Sequence, residues 1–162
     1  MNNLKDFEII VASANDTQSV KQCLNILDAQ VYSCKNKQNL LISNYIVCAK
    51  RNNEILGFIG VDDDKDFSGD LYISQVAVKS SEKGKGIEDN LLKFVKHHSK
   101  GFMRVTCDIK RDNHNFINLY IKNGFQKIGN CDSLKSYRFA IKVDKIENNE
   151  YIQYTEDEKQ FE

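Results

Sequence analysis

EKGKGIEDNLL, Glu82 to Leu92, sets two glycines and two lysines directly before a helix-forming run. The segments on either side decide the fold. Upstream, LYISQVAVK (Leu71–Lys79) is a β-branched run that reads as a strand buried on both faces. Downstream, Ile87, Leu91, Leu92, Phe94 and Val95 recur at helical spacing and predict a helix from Ile87 to His98 with one apolar side. FMRVTCDIK (Phe102–Lys110) is the next strand. A strand, a glycine loop, a helix and a second strand make a right-handed parallel crossover.

Further out, FEIIVAS (Phe7–Ser13) predicts a first strand. A helix follows, with Ser13 and Asp16 in a capping-box spacing and Val20, Cys23, Leu24 and Leu27 on one face. YIVCAKR, a polar turn and EILGFIGVDDD predict a hairpin from Tyr45 to Val61, followed by an acidic loop at 62–69. NHNFINLYIKNGF predicts a third helix, with Phe116, Leu119, Tyr120 and Ile121 inward and Gly124 as its stop. Two more strands are expected near 125–130 and 136–143. The order is strand, helix, three strands, helix, strand, helix, two strands: an α/β chain with a mixed sheet, without internal repeat or linker.

The totals are compatible with one domain. The 162 residues are 41% hydrophobic and 28% charged, which is globular composition. No apolar run approaches the roughly 20 residues that span a bilayer, and MNNLKDFEII does not read as a signal peptide. The five cysteines, Cys23, Cys34, Cys48, Cys107 and Cys131, are scattered and never spaced CxxC; reduced cytoplasmic thiols are expected, with neither disulfides nor a zinc site. Net charge is zero but uneven: Asp144–Glu162 carries seven acids and two lysines, leaving residues 1–143 mildly basic. That body suits a phosphate-bearing or acidic ligand and lacks the concentrated basic patch that nucleic acid requires.

At a strand-to-helix junction, unpaired amides and the positive end of the helix dipole face one spot. Gly84 and Gly86 let an anion approach bare backbone, and Lys83 and Lys85 add positive charge. The spacing is neither GxxxxGK[ST] nor GxGxxG, and taken alone the loop reads equally as a solvated turn with Glu88 and Asp89 favouring the dipole.

Asn113, Tyr120 and Gly124-Phe125 add the pattern N-x6-Y-x3-G-F after the strand that follows the loop. With LYISQVAVKSSEKGKGI, this resembles the GCN5-related N-acetyltransferase (GNAT) superfamily from Leu71 to about Gly129, and more loosely over residues 1–143. The resemblance implies the acyl-CoA N-acyltransferase fold, with acetyl-CoA as co-substrate and an amine as acceptor. It places the Q/R-x-x-G-x-G/A motif on Lys83, Gly84, Lys85, Gly86, Ile87 and Glu88, whose amides would hold the coenzyme A diphosphate. Val76, Ala77 and Val78 would pair with the pantetheine arm and supply an N–H that polarises the thioester carbonyl. Asn113, with Phe116 and Tyr120, would line the pantetheine from the third helix, and Tyr120 matches the family's frequent general acid.

Two positions depart from the pattern. Lys83 stands where Gln or Arg is usual and lacks the guanidinium fork. Glu88 stands where Gly or Ala is usual, and its carboxylate would repel a diphosphate, so weaker coenzyme binding is expected. The alternative role for Tyr120 is a core tyrosine packed on Phe116. No general base is evident: Asp70 and Glu54 are the nearest acids, and Tyr72 and Gln75 could order a water. His97 and His98 read as surface, His114 as solvated at the groove's edge, and Cys107 as core; no metal is expected. The tail, 144–162, is read as an acidic terminus or, through Tyr151, Ile152 and Tyr154, as an added edge strand or a strand exchanged with a second subunit of a homodimer. A non-catalytic relative that serves as a coenzyme-binding regulatory or interaction module, and a nucleotide-binding module, are the other readings.

Overall fold

The computed structural model describes residues 6–13, 15–29, 45–64, 68–99, 101–132 and 135–143. Cys34 and the tail from Asp144, with its expected edge strand, lie outside the described residues. Among the described residues seven strands form a single sheet: β1 (Glu8–Ala12), β2 (Tyr45–Arg51), β3 (Glu54–Asp63), β4 (Leu71–Val78), β5 (Arg104–Lys110), β6 (Gln126–Cys131) and β7 (Ser136–Lys142). Among the described residues three α-helices accompany them: α1 (Thr17–Asp28), α2 (Ile87–His98) and α3 (His114–Lys122). Over those residues the element order follows the sequence expectation.

Strands lie in the order β1-β2-β3-β4-β5-β7-β6, and all pairs are antiparallel except β4 with β5. That parallel pair is the crossover expected from the segments flanking the glycine loop. β7 inserts between β5 and β6, so the last two strands fold back rather than extend the sheet in chain order.

Each face has its own core, as a sheet covered on both sides requires. On one face Leu56, Ile59, Val61, Leu71, Ile73 and Val78 meet Ile87, Leu91, Leu92 and Val95 of α2, with Tyr120 and Phe125. On the other, Ile46, Cys48, Ile55, Phe58 and Ala77 meet Val20, Cys23, Ile26 and Leu27 of α1. β3 feeds both, which is why EILGFIGV reads as continuously apolar. Gly57 is obligatory here: a Cβ would lie 2.8 Å from Val78 Cγ2 and 3.0 Å from the Ala77 carbonyl oxygen.

Helix ends show where the sequence expectation needs correcting. Asp16, not Ser13, caps α1; its carboxylate accepts from the Ser19 amide at 3.1 Å, and Ser13 offers only its carbonyl to the Asp16 amide. Both are cap-type residues, and the second defines the first turn. In α3, Ile121 is 54% exposed while Ile117 packs on the core with Phe116 and Leu119. α3 has only nine residues, and its inward side falls on 116, 117, 119 and 120. Gly124 ends it as expected, with φ +91°.

Candidate active site

The parallel pair is short. β4 and β5 share only Leu71↔Val105, Tyr72↔Thr106 and Ile73↔Cys107. β4 continues to Val78 and β5 to Lys110, so beyond Ile73 and Cys107 the two strands part and leave a fork in the middle of the sheet. On its other edge β4 stays paired with β3, Val76 with Ile59, Ala77 with Phe58 and Val78 with Gly57. The register between them slips by one residue at Gly60/Val61, which makes Ser74 an extra residue of β4, and its hydroxyl donates to the Gly60 carbonyl at 3.2 Å. A bulge bends its strand and increases the local twist, and here it sits at the first residue past the fork's apex.

The β4 arm leads through a 3-10 turn (Ser80–Glu82) into the glycine loop and α2. Gly84 and Gly86 have φ of +79° and +81°, left-handed values that side chains disfavour. A Cβ at Gly84 would meet nothing within 4 Å, so the loop opens outward instead of being packed. Gly86 is the N-cap of α2 and offers no side chain to its first turn. The amides of Ile87, Glu88 and Asp89 precede the first intrahelical donor, Asn90, whose N–H reaches the Gly86 carbonyl at 3.1 Å. Lys83 and Lys85 are exposed beside them. Left-handed glycines, uncapped amides and two lysines fit a diphosphate.

Glu88 is half-buried in this turn. Burial pushes its carboxyl above the ordinary carboxylate range; its own backbone amide, donating to the carboxylate, and Lys83 act in the opposite sense, whereas Asp89 adds to the rise. The side chain thus places a carboxylate at one amide of the first turn, its own. Asp89 points elsewhere, accepting from Asn123 Nδ2 at 2.8 Å and facing Lys122 Nζ at 3.6 Å, which ties α2 to the end of α3.

Tyr120 reaches the apex from α3. It is 3% exposed, and its hydroxyl hydrogen-bonds the Cys107 thiol, next to Tyr72. Burial, the first cause, and the neighbouring thiol and phenol hold its pKa well above the ordinary phenol value, so it remains protonated at neutral pH. Its ring meets Phe125 edge-on at 4.9 Å; the aromatic partner is therefore Phe125, not Phe116. Asn113 caps α3, its side-chain oxygen accepting from the Phe116 amide at 3.3 Å, and Phe116 is half-buried one turn before Tyr120. The fold therefore brings Val76–Val78, the 83–88 loop and Tyr120 to one fork, with Asn113 and Phe116 on the helix beside it.

On the opposite face of β5 lies Asp108, one residue past the last β4–β5 rung. It accepts from Tyr72 Oη at 3.0 Å and from Arg138 Nε and Nη2, both at 3.0 Å. Arg138 also faces Asp64 at 3.9 Å, and Asp64 accepts from the buried Thr106 hydroxyl. The two acids weighed from sequence are engaged elsewhere: Asp70 is 4% exposed and held by Arg104 at 2.6 Å, and Glu54 pairs with Lys79. Asp108 escaped sequence reading because its partners stand 30 and 36 residues away, and only alternation within VTCDIK, which sets Asp108 opposite Cys107, hinted at its side. His97 and His98 are exposed, and the His98 ring stacks on Phe94 at 3.9 Å. Cys107 is core, as expected, at 2% exposure. Among the described residues no group of His, Cys, Asp and Glu is placed to hold a metal ion, and no helix is long and apolar enough to cross a membrane.

Residues 21–125 match the family model described as the acetyltransferase (GNAT) family. A comparison with curated proteins found no match. Among solved structures, a GNAT-family acetyltransferase from Bacillus cereus superposes with TM-score 0.70 at 20% identity, covering 86% of this chain and 99% of its own. An IAA acetyltransferase from Bacillus cereus gives 0.69 at 15%, covering 85% and 99%. An aminoglycoside 6′-N-acetyltransferase complexed with coenzyme A gives 0.64 at 14%, covering 87% and 99%. At such identities the superpositions speak for the fold.

Proposed function

The chain belongs to the acetyltransferase (GNAT) family, and from that premise we propose that it transfers an acetyl group from acetyl-CoA to a primary amine by direct attack on the thioester. The observation that carries this reading is the fork: β4 and β5 separate after Ile73 and Cys107, with an uncapped helix N-terminus beyond the end of one arm and a buried tyrosine at the apex.

In this proposal the amides of residues 84–88, with Lys83 and Lys85, hold the diphosphate through the helix dipole and direct charge pairing. Val76, Ala77 and Val78 run alongside the pantetheine, and one of their N–H groups polarises the thioester carbonyl. Asn113 and Phe116 border the arm from α3. Tyr120 gives its proton to the departing sulfur; it already hydrogen-bonds a sulfur, that of Cys107, and a phenol within hydrogen-bond reach is a competent acid for a thiolate. The acceptor approaches from the other face, where Asp108 offers a carboxylate to its ammonium and Tyr72 an oxygen beside it. Cys23, Cys48, Cys107 and Cys131, the described cysteines, form no disulfide, and we place the reaction in the reducing cytoplasm.

A second reading, a coenzyme-binding module without turnover, draws on Glu88, whose carboxylate accepts from its own amide, one of those a diphosphate would use. Thiol release from acetyl-CoA, measured with a panel of peptide N-termini, polyamines, amino acids and aminoglycosides, tests the proposal. Release with one amine class supports transfer; coenzyme binding without release for any amine supports the module.

A further inference from the structure

Glu82 ends the 3-10 turn just before the glycine loop, and its side chain is only 8% exposed. Two cations share its carboxylate. Arg51, at the tip of the β2–β3 hairpin, donates through Nη2 to Oε1, and Lys85, within the loop, stands 3.2 Å from Oε2. Arg51 is itself anchored by Asp6 at 2.9 Å, so its guanidinium is fixed at both ends. Both cations hold the Glu82 carboxyl below the ordinary carboxylate range, the Arg51 hydrogen bond most strongly. Lys85 is the looser of the two, with 58% of its side chain exposed against 31% for Arg51.

A carboxylate this far from water needs a counter-ion at all times. If Lys85 were its only partner, each arriving phosphate would have to break a buried pair to recruit that ammonium. Arg51 removes the conflict: it keeps Glu82 paired while Lys85 turns outward. We infer that Arg51 is a positioning residue for the acyl-donor site, acting through Glu82 to release Lys85 onto the diphosphate. The inference rests on the coenzyme reading of the loop and adds the hairpin, some 30 residues upstream, to the donor site.

Calorimetry with coenzyme A, and with pantetheine as a probe that lacks the diphosphate, tests this without an acceptor. Arg51→Met leaves Lys85 as the sole partner of Glu82 and weakens coenzyme A binding about tenfold, the worth of one charge-assisted contact, while pantetheine binding stays unchanged. Arg51→Lys restores most of the affinity. Glu82→Gln in the Arg51→Met background frees Lys85 and restores it too; because this double variant buries no unpaired carboxylate, it reports even if Arg51→Met folds poorly. Equal coenzyme affinity in wild type and Arg51→Met, an equal loss for pantetheine, or a double variant as weak as Arg51→Met overturns the inference. A wild-type protein that binds no coenzyme A overturns the donor-site reading beneath it instead.

Discussion

Replacing Glu88 with Gln is expected to tighten coenzyme A binding. The carboxylate lies half-buried in the first turn of α2 and accepts from its own amide, so it shares the amides on which the diphosphate is proposed to sit. Two unit charges about 6 Å apart interact by roughly 3 kcal/mol at the dielectric of a protein surface. Lys83 beside the carboxylate and solvent on its open side reduce this to about 1–2 kcal/mol, or about five- to thirtyfold in affinity. Gln keeps the shape and removes the charge. The sign of the pH dependence follows from the raised carboxyl pKa. As pH falls through that raised value, wild-type Glu88 takes up a proton and the affinity gap between the two proteins closes. Because the folded protein holds this proton more tightly than the unfolded chain, wild type also gains stability relative to Glu88→Gln as pH falls through the raised value to the ordinary one. Calorimetric titration of both proteins with coenzyme A across pH 5–8, read as a difference so that the ligand's own ionisations cancel, measures the effect. Equal or weaker binding by Glu88→Gln at neutral pH would show that the carboxylate points away from the diphosphate and refute the electrostatic reasoning.

Tyr120→Phe is expected to lose most of the turnover with little change in acetyl-CoA affinity, measured as steady-state thiol release beside calorimetry; near-normal turnover assigns the hydroxyl to packing on Cys107 alone. Arg138→Met removes the cation from Asp108, whose side chain is 8% exposed, and should cost about 3–5 kcal/mol of stability by urea unfolding. Gly57→Ala forces a methyl against Val78 and the Ala77 carbonyl, for a loss of about 1–3 kcal/mol that calorimetric melting would read as a drop of about 3–10 °C. Because Ala77 and Val78 belong to the fork's β4 arm, Gly57→Ala should weaken coenzyme binding as well.

Much of the fold was legible because local chemistry and tertiary packing agree. The amphipathic run Ile87–His98, closed off in front by Gly86, has one face and one start, and the helix spans those residues. The parallel pairing of β4 and β5 followed from a helix between two apolar strands. The fork itself was not legible. LYISQVAV reads as an uninterrupted strand, and nothing in it says that Ser74 is a bulge or that β5 leaves after Cys107, since both depend on which backbone groups a neighbour 30 or more residues away claims. The same holds for Arg51–Glu82 and Asp108–Arg138, pairs of oppositely charged residues with no periodic relation. Cap choice failed at α1 because Ser13 and Asp16 are both suitable and only the chain's entry angle decides. The site's loop and Tyr120 could be placed from motif spacing; the carboxylate side of the fork needed the sheet.

A crystal structure with coenzyme A tests the central claim most directly. The diphosphate is expected on the amides of residues 84–88, the pantetheine alongside Val76–Val78, and the sulfur within hydrogen-bond reach of the Tyr120 hydroxyl. A coenzyme seated elsewhere, or a sulfur on the far side of β4 from Tyr120, would contradict it.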